Sequence, residues 1–205
     1  MTVVNNKFDP GHFFCQNAVM NKPVQARTLK TRAKLIDAAQ AVVATSGYEG
    51  LRVEEVVKRA GVAKGTFFAH FRDKDALMDQ LLGAEMDRIL DALEDGPIPQ
   101  TPDQMARALD PLIRFMTSER YVFDVILRYS GAAGVTEIGP IAHTFERQFR
   151  LFAKWVADRE DLSPELLAEG IQAFFLQAMS LKFCALHASS QAQARLTTYL
   201  QAWLR

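Results

Sequence analysis

The sequence predicts an all-α protein of about nine helices, a small three-helix head followed by a larger helical bundle. Three observations predict it. Apolar residues recur at three- and four-residue steps from residue 28 onward, the period of helices buried on one side. Strand-like alternation between turn signals appears nowhere. Glycines cut residues 47–61 into short segments, whereas the segments after residue 73 run long.

Each element has its own warrant. Leu29, Ala33, Ile36, Ala39 and Val43 form the stripe of a first helix from residue 28 that ends at Gly47. Leu51, Val53, Val56, Val57 and Ala60 mark a second, which Gly61 stops, and Ala63 to His70 a third. Asp73 suits the N-cap of a fourth, since its carboxylate accepts N–H bonds of the first turn. That helix carries Leu77, Leu81, Leu82, Ile89, Leu90 and Leu93 and stops at Gly96-Pro97. Three prolines make residues 96–102 a loop. Helices are expected near 103–117, 120–130, 136–159, 163–188 and 191–204, with Ser163-Pro164 as a capped start. The expected organisation is an arm over 1–26, a head over 27–75 and a body over 76–205. The arm lacks a steady period and reads as extended or disordered. Phe8, Phe13 and Phe14 are more aromatics than a disordered tail usually holds.

Bulk properties narrow the class. Of 205 residues, 49% are hydrophobic and 23% charged, so the core needs no disulfide or metal to hold it. Cys15 and Cys184 lie far apart and form no metal-binding spacing. There is no secretory leader pattern and no apolar run long enough to span a bilayer, which makes the cytoplasm the expected location and excludes a membrane role. Four histidines and two cysteines form no nucleophile motif, and no phosphate loop or cofactor signature occurs, so neither an enzyme nor a cofactor is expected. Net charge is zero but uneven: ten basic and six acidic residues in 27–75, twelve and seventeen in 76–205. A basic segment beside an acidic one suits a part that meets a polyanion and a part that does not.

Two short helices joined by a glycine turn, after a longer first helix, are the parts of a helix-turn-helix. Gly61 permits the turn, and Ala60 lets the helices cross closely. Val62, Phe67 and Phe71 lock the third helix inward, which leaves Lys64, Gly65, Thr66, Phe68 and His70 outward. Lys64 can reach a guanine edge, Thr66 and His70 can bond phosphates, and Lys74 opens a helix whose free N–H groups suit a phosphate.

The run Leu51-Arg-Val-Glu-Glu-Val-Val-Lys-Arg-Ala-Gly-Val-Ala-Lys-Gly-Thr-Phe-Phe-Ala-His-Phe-Arg-Asp-Lys-Asp-Ala-Leu77, with Thr31-Arg-Ala-Lys-Leu-Ile-Asp-Ala-Ala39 before it, resembles the signature of the tetracycline-repressor (TetR) family of bacterial regulators. The resemblance covers about a quarter of the chain. It implies a homodimer whose two heads sit in successive major grooves of a near-palindromic DNA operator, and a ligand among the body helices that releases the DNA. By that resemblance Lys64 and Gly65 face bases, Thr66, Phe68, His70 and Lys74 lie on the backbone, and Arg52 approaches a phosphate. Two positions depart from the pattern. Phe68 stands where the family usually has a tyrosine, at a cost of about 0.5–1.5 kcal/mol for the missing phosphate bond. Arg52 stands where a small hydroxyl residue usually caps the second helix.

The body is rich in aromatics and methionines, at helical spacing mostly core, but bundles can keep an apolar cavity with a few polar anchors. Candidate ligand contacts are Arg114, Phe115, Arg128, His143, Phe174, Phe175, Gln177 and Met179, with Gln172 as a further polar anchor. The commonplace role of the charged ones is a surface ion pair. The expected effector is a small apolar or aromatic molecule. Helix 163–188 is apolar almost all round, and with 191–204 it is the expected two-fold dimer interface. The alternative function is a helical ligand-binding dimer that has lost specific DNA binding.

Overall fold

The protein is described by a computed structural model that covers residues 22–131, 138–160, 162–186 and 191–204. Those residues form ten helices and no strand: α1 (Lys22–Gly50), α2 (Val53–Ala60), α3 (Lys64–Phe68), α4 (Lys74–Glu94), α5 (Pro102–Ala108), α6 (Asp110–Met116), α7 (Arg120–Tyr129), α8 (Pro140–Trp155), α9 (Pro164–Lys182) and α10 (Ala192–Trp203). None is long and apolar enough to cross a membrane.

The differences from expectation have local causes. Helix α1 begins at Lys22, so residues 22–26 are helical; Pro23 sits in the first turn, where its missing N–H costs nothing. Residues 1–21 of the expected arm lie outside the described residues. The buried stripe of α1 runs through Leu35, Ala38, Ala39 and Val42, and Leu29 is exposed. The single helix expected over 103–117 is two, joined at Leu109, because Pro111 has no N–H to donate to the carbonyl of Arg107. Helix α8 starts at Pro140 and α9 ends at Lys182, both shorter than expected. Two expected caps are present: Asp73 accepts from Ala76 N at 2.8 Å, and Ser163 from Leu166 N at 3.3 Å.

Helix α4 is the spine. It starts in the head and packs against α1, α6, α7 and α8, while α9 covers α8 and α10 lies across α9 and α5. Leu77, Met78, Leu82, Met86 and Leu90 are shut out of solvent along its length. A buried acid adds polar stitching: Asp79 accepts the Ile141 N–H at 3.0 Å and so caps the first turn of α8. Burial pushes the Asp79 carboxyl above the usual range, and the Ile141 bond opposes that rise.

On the outer edge Arg147 of α8 holds three acids of α4. Its guanidinium reaches Asp91 at 2.6 Å, Glu94 at 2.8 Å and Asp87 at 3.2 Å. One cation thus relieves repulsion along one helix face, and a network of this kind is worth more than an isolated surface pair. Arg147→Ala is expected to lower unfolding stability by about 1–2 kcal/mol at low salt and less at 1 M salt. Urea titration at both ionic strengths checks this; an effect independent of salt would assign the loss to packing instead.

Candidate nucleic-acid interface and the head–body seam

The turn between α2 and α3 rests on Gly61, which adopts the left-handed conformation (φ 66°, ψ 37°) that favours glycine. Its N–H reaches Lys58 O at 3.3 Å, and Val62 N reaches Val57 O at 3.1 Å, which closes the end of α2. Arg52 precedes α2 in extended conformation and makes no side-chain cap, as its substitution for a hydroxyl residue predicts. Its guanidinium instead donates to Glu49 O at 2.8 Å.

Phe67 and Phe71 are buried with their rings 5.5 Å apart. Arg32 of α1 pins the far end of α3: it donates to His70 O at 2.8 Å and lies 4.3 Å over the Phe71 ring. With that side fixed, the other side of α3 is open. Lys64, Gly65 and Phe68 are exposed, and Thr66 and His70 half-buried. A methyl group placed on Gly65 would meet nothing within 4 Å. Lys64 leans back onto Glu54 of α2 at 2.5 Å, and that bond holds the Glu54 carboxyl below the usual range. Both partners are exposed, so the pair is readily exchanged for another anion.

Lys74 lies at a seam that sequence reasoning missed. Its ammonium donates to Glu49 O at 3.3 Å and lies 4.3 Å over the Tyr121 ring of α7. Burial lowers its pKa, and the neighbouring Arg52 lowers it further. Tyr121 donates to Asp75 at 2.8 Å, and Arg128 pairs with the same carboxylate. Burial first, then the Asp75 bond, pushes the Tyr121 phenol far above its ordinary range. Glu119, the residue before α7, accepts from Tyr48 N at 2.9 Å and Glu49 N at 2.7 Å. These two amides follow the break of α1 at Gly47 (φ 72°), where a side chain would collide with Glu119 at 2.8 Å. Body helix α7 therefore grips both the end of α1 and the start of α4.

The candidate ligand contacts do not gather in one place. Arg114 is paired to Asp110 at 2.6 Å, and Arg128 belongs to the seam. The Phe115 ring meets Tyr48 of α1 at 6.0 Å. Phe174 packs on Tyr199 and Trp203 of α10, and Phe175 is buried against Phe152. Met179 is buried, whereas His143 and Gln177 are exposed. Gln172 is half-buried with its carbonyl oxygen unpartnered. A cavity of about 340 Å³ between α1 and α4, beside Tyr48, and one of about 570 Å³ at the far end of α4 are lined by other residues.

A three-helix head with one open helix face, carried on a bundle that shares its fourth helix, is the build of a helix-turn-helix protein. Residues 35–81 match the family model described as bacterial regulatory proteins, tetR family. Among curated proteins it is 27% identical over 139 residues to the HTH-type transcriptional repressor KstR of Rhodococcus jostii, which covers 66% of this chain and 64% of that protein. It is 28% identical over 137 residues to the HTH-type transcriptional regulator YvdT of Bacillus subtilis, over 66% of each. The matches thus span somewhat less than two thirds of those relatives. Among solved structures, Thermus thermophilus FadR, a TetR-family transcriptional repressor in complex with lauroyl-CoA, superposes with a TM-score of 0.58 at 19% identity, over 84% of this chain and 93% of that one. At that identity the likeness is one of fold.

The seam carries a prediction. Glu119→Ala strips two amides of their acceptor and is expected to cost about 1–3 kcal/mol of unfolding stability. A urea midpoint within error of the parent chain would mean that water replaces the carboxylate without loss.

Proposed function

We propose that the chain is a DNA-binding transcriptional regulator, a ligand-responsive repressor that binds a near-palindromic operator as a homodimer. The observation that carries this is the open outer face of α3, where Lys64 and a bare Gly65 stand clear while Phe67 and Phe71 are locked inside. Lys64 and Gly65 approach base edges, Thr66 and His70 the backbone, and Phe68 contributes apolar contact without the phosphate bond of a tyrosine. Arg52 and Lys74 flank this face with positive charge, although Lys74 also serves the seam. The dimer forms through α9 and α10, whose outer side exposes Leu166 and Ala173. The effector is a small, largely apolar molecule bound in the body.

The test is binding to the chain's own promoter region. Specific affinity should fall steeply with salt and exceed that for scrambled DNA by about 10³ or more. Equal, weak binding to both sequences would favour a ligand-binding dimer without an operator, a reading that Phe68 and the Glu54–Lys64 pair make worth testing. Lys64→Ala is expected to cost about 1–3 kcal/mol on the cognate sequence and to relax base preference at one position of each half-site; uniform weakening across sequences would move Lys64 from bases to phosphate. Glu54→Gln removes the anion that competes for Lys64 and should tighten duplex binding roughly two- to fivefold and steepen the salt dependence. Weaker binding by Glu54→Gln would mean that Glu54 positions Lys64.

A further inference from the structure

Helix α4 ends far from the head beside the larger cavity, about 570 Å³. Its walls are Leu93 from α4, Ile98 from the proline loop, Ala108 from α5 and Trp155 from the end of α8. The loop is held in shape by its own bonds: Gln100 N donates to Gln104 Oε1 at 2.7 Å, and the Gln100 amide to Ile98 O at 3.1 Å. Volume and lining match what a small amphiphile needs.

Two polar side chains of α5 bring hydrogen-bond donors to this cavity. Gln104 and Arg107 lie one turn apart on the same side of α5, and both line it. The carbonyl oxygen of the Gln104 side chain is taken by Gln100, which leaves its NH₂ as the group on offer. Arg107 makes no ion pair among the described residues; Asp103, one turn before it, accepts from Gln201 at 3.0 Å instead. No aspartate or glutamate lines the cavity. An apolar cavity that presents donors and no acceptor charge selects an anion with a hydrocarbon body, and a guanidinium fork matches a carboxylate.

We infer that this cavity binds an apolar monocarboxylate, its carboxylate held by Arg107 and Gln104 and its hydrocarbon body against Leu93, Ile98 and Trp155. The inference rests on the proposed ligand-responsive reading only for its consequence: an occupant leans on the last turn of the helix whose first turn lies in the head.

The test uses the full chain without DNA and follows tryptophan fluorescence, since Trp155 and Trp203 are its two tryptophans. Decanoate is the probe, with decanol and decylammonium as neutral and cationic counterparts. Decanoate should give a saturable change that Trp155→Phe abolishes, with an affinity at least about tenfold above decanol and no response to decylammonium. Arg107→Gln should bring decanoate down to the level of decanol; its exposed position makes it safe for folding. Equal affinity for decanoate and decanol, a response that survives Trp155→Phe, or an unchanged Arg107→Gln would overturn the site. A cavity that fills with decanoate while promoter binding stays constant would uphold the site and overturn only its role as effector site. Promoter binding without any decanoate response would overturn the site and leave the DNA-binding reading standing.

Discussion

Phe67 and Phe71, four residues apart and both shut out of solvent, decide which way the short helix α3 faces. A five-residue helix has little stability of its own, so its orientation comes from what it buries. Two rings inside, with Arg32 stacked on one of them and bonded to the His70 carbonyl, leave no freedom for a rotated alternative. The open face bearing Lys64 and Gly65 is the geometric complement of that burial. Loss of either ring would free the face as well as destabilise the head.

The head does not stand alone. Glu119 reaches across from α7 to two backbone amides at the break in α1, and Asp75 at the start of α4 receives both Tyr121 and Arg128. These contacts are polar, with Glu119 and Tyr121 acting from the start of α7 and Arg128 from its last turn. Directional bonds at a seam permit two discrete arrangements more readily than a greasy interface does. Helix α4 connects that seam with the cavity at its far end.

Much of the fold is legible in the residues. The helical period, Gly61, Asp73 and Ser163 mark starts and stops that the structure places within a few residues of expectation. The misses have physical reasons. Pro111 divides a periodic run because a missing N–H outweighs an apolar stripe. Helix α1 extends back to Lys22 because proline is tolerated in a first turn. Phe67 and Phe71 could be assigned inward because they lie on one side of a short helix. The seam was not legible: Glu119 and Tyr48 are 71 residues apart, and no local pattern pairs a carboxylate with distant backbone amides. Candidate ligand contacts chosen by residue type scatter over the body for the same reason, since a cavity is a property of packing between helices and not of any one helix face.

The central claim is that the outer face of α3 is the surface that meets DNA. Amide NMR of the chain titrated with its promoter duplex tests it most directly. The account predicts that the largest shifts fall on Lys64, Gly65, Thr66 and Phe68, with little change at the buried residues Leu35 and Leu51 behind them. Large shifts confined to the body helices, or none on α3 while the duplex binds, would contradict it.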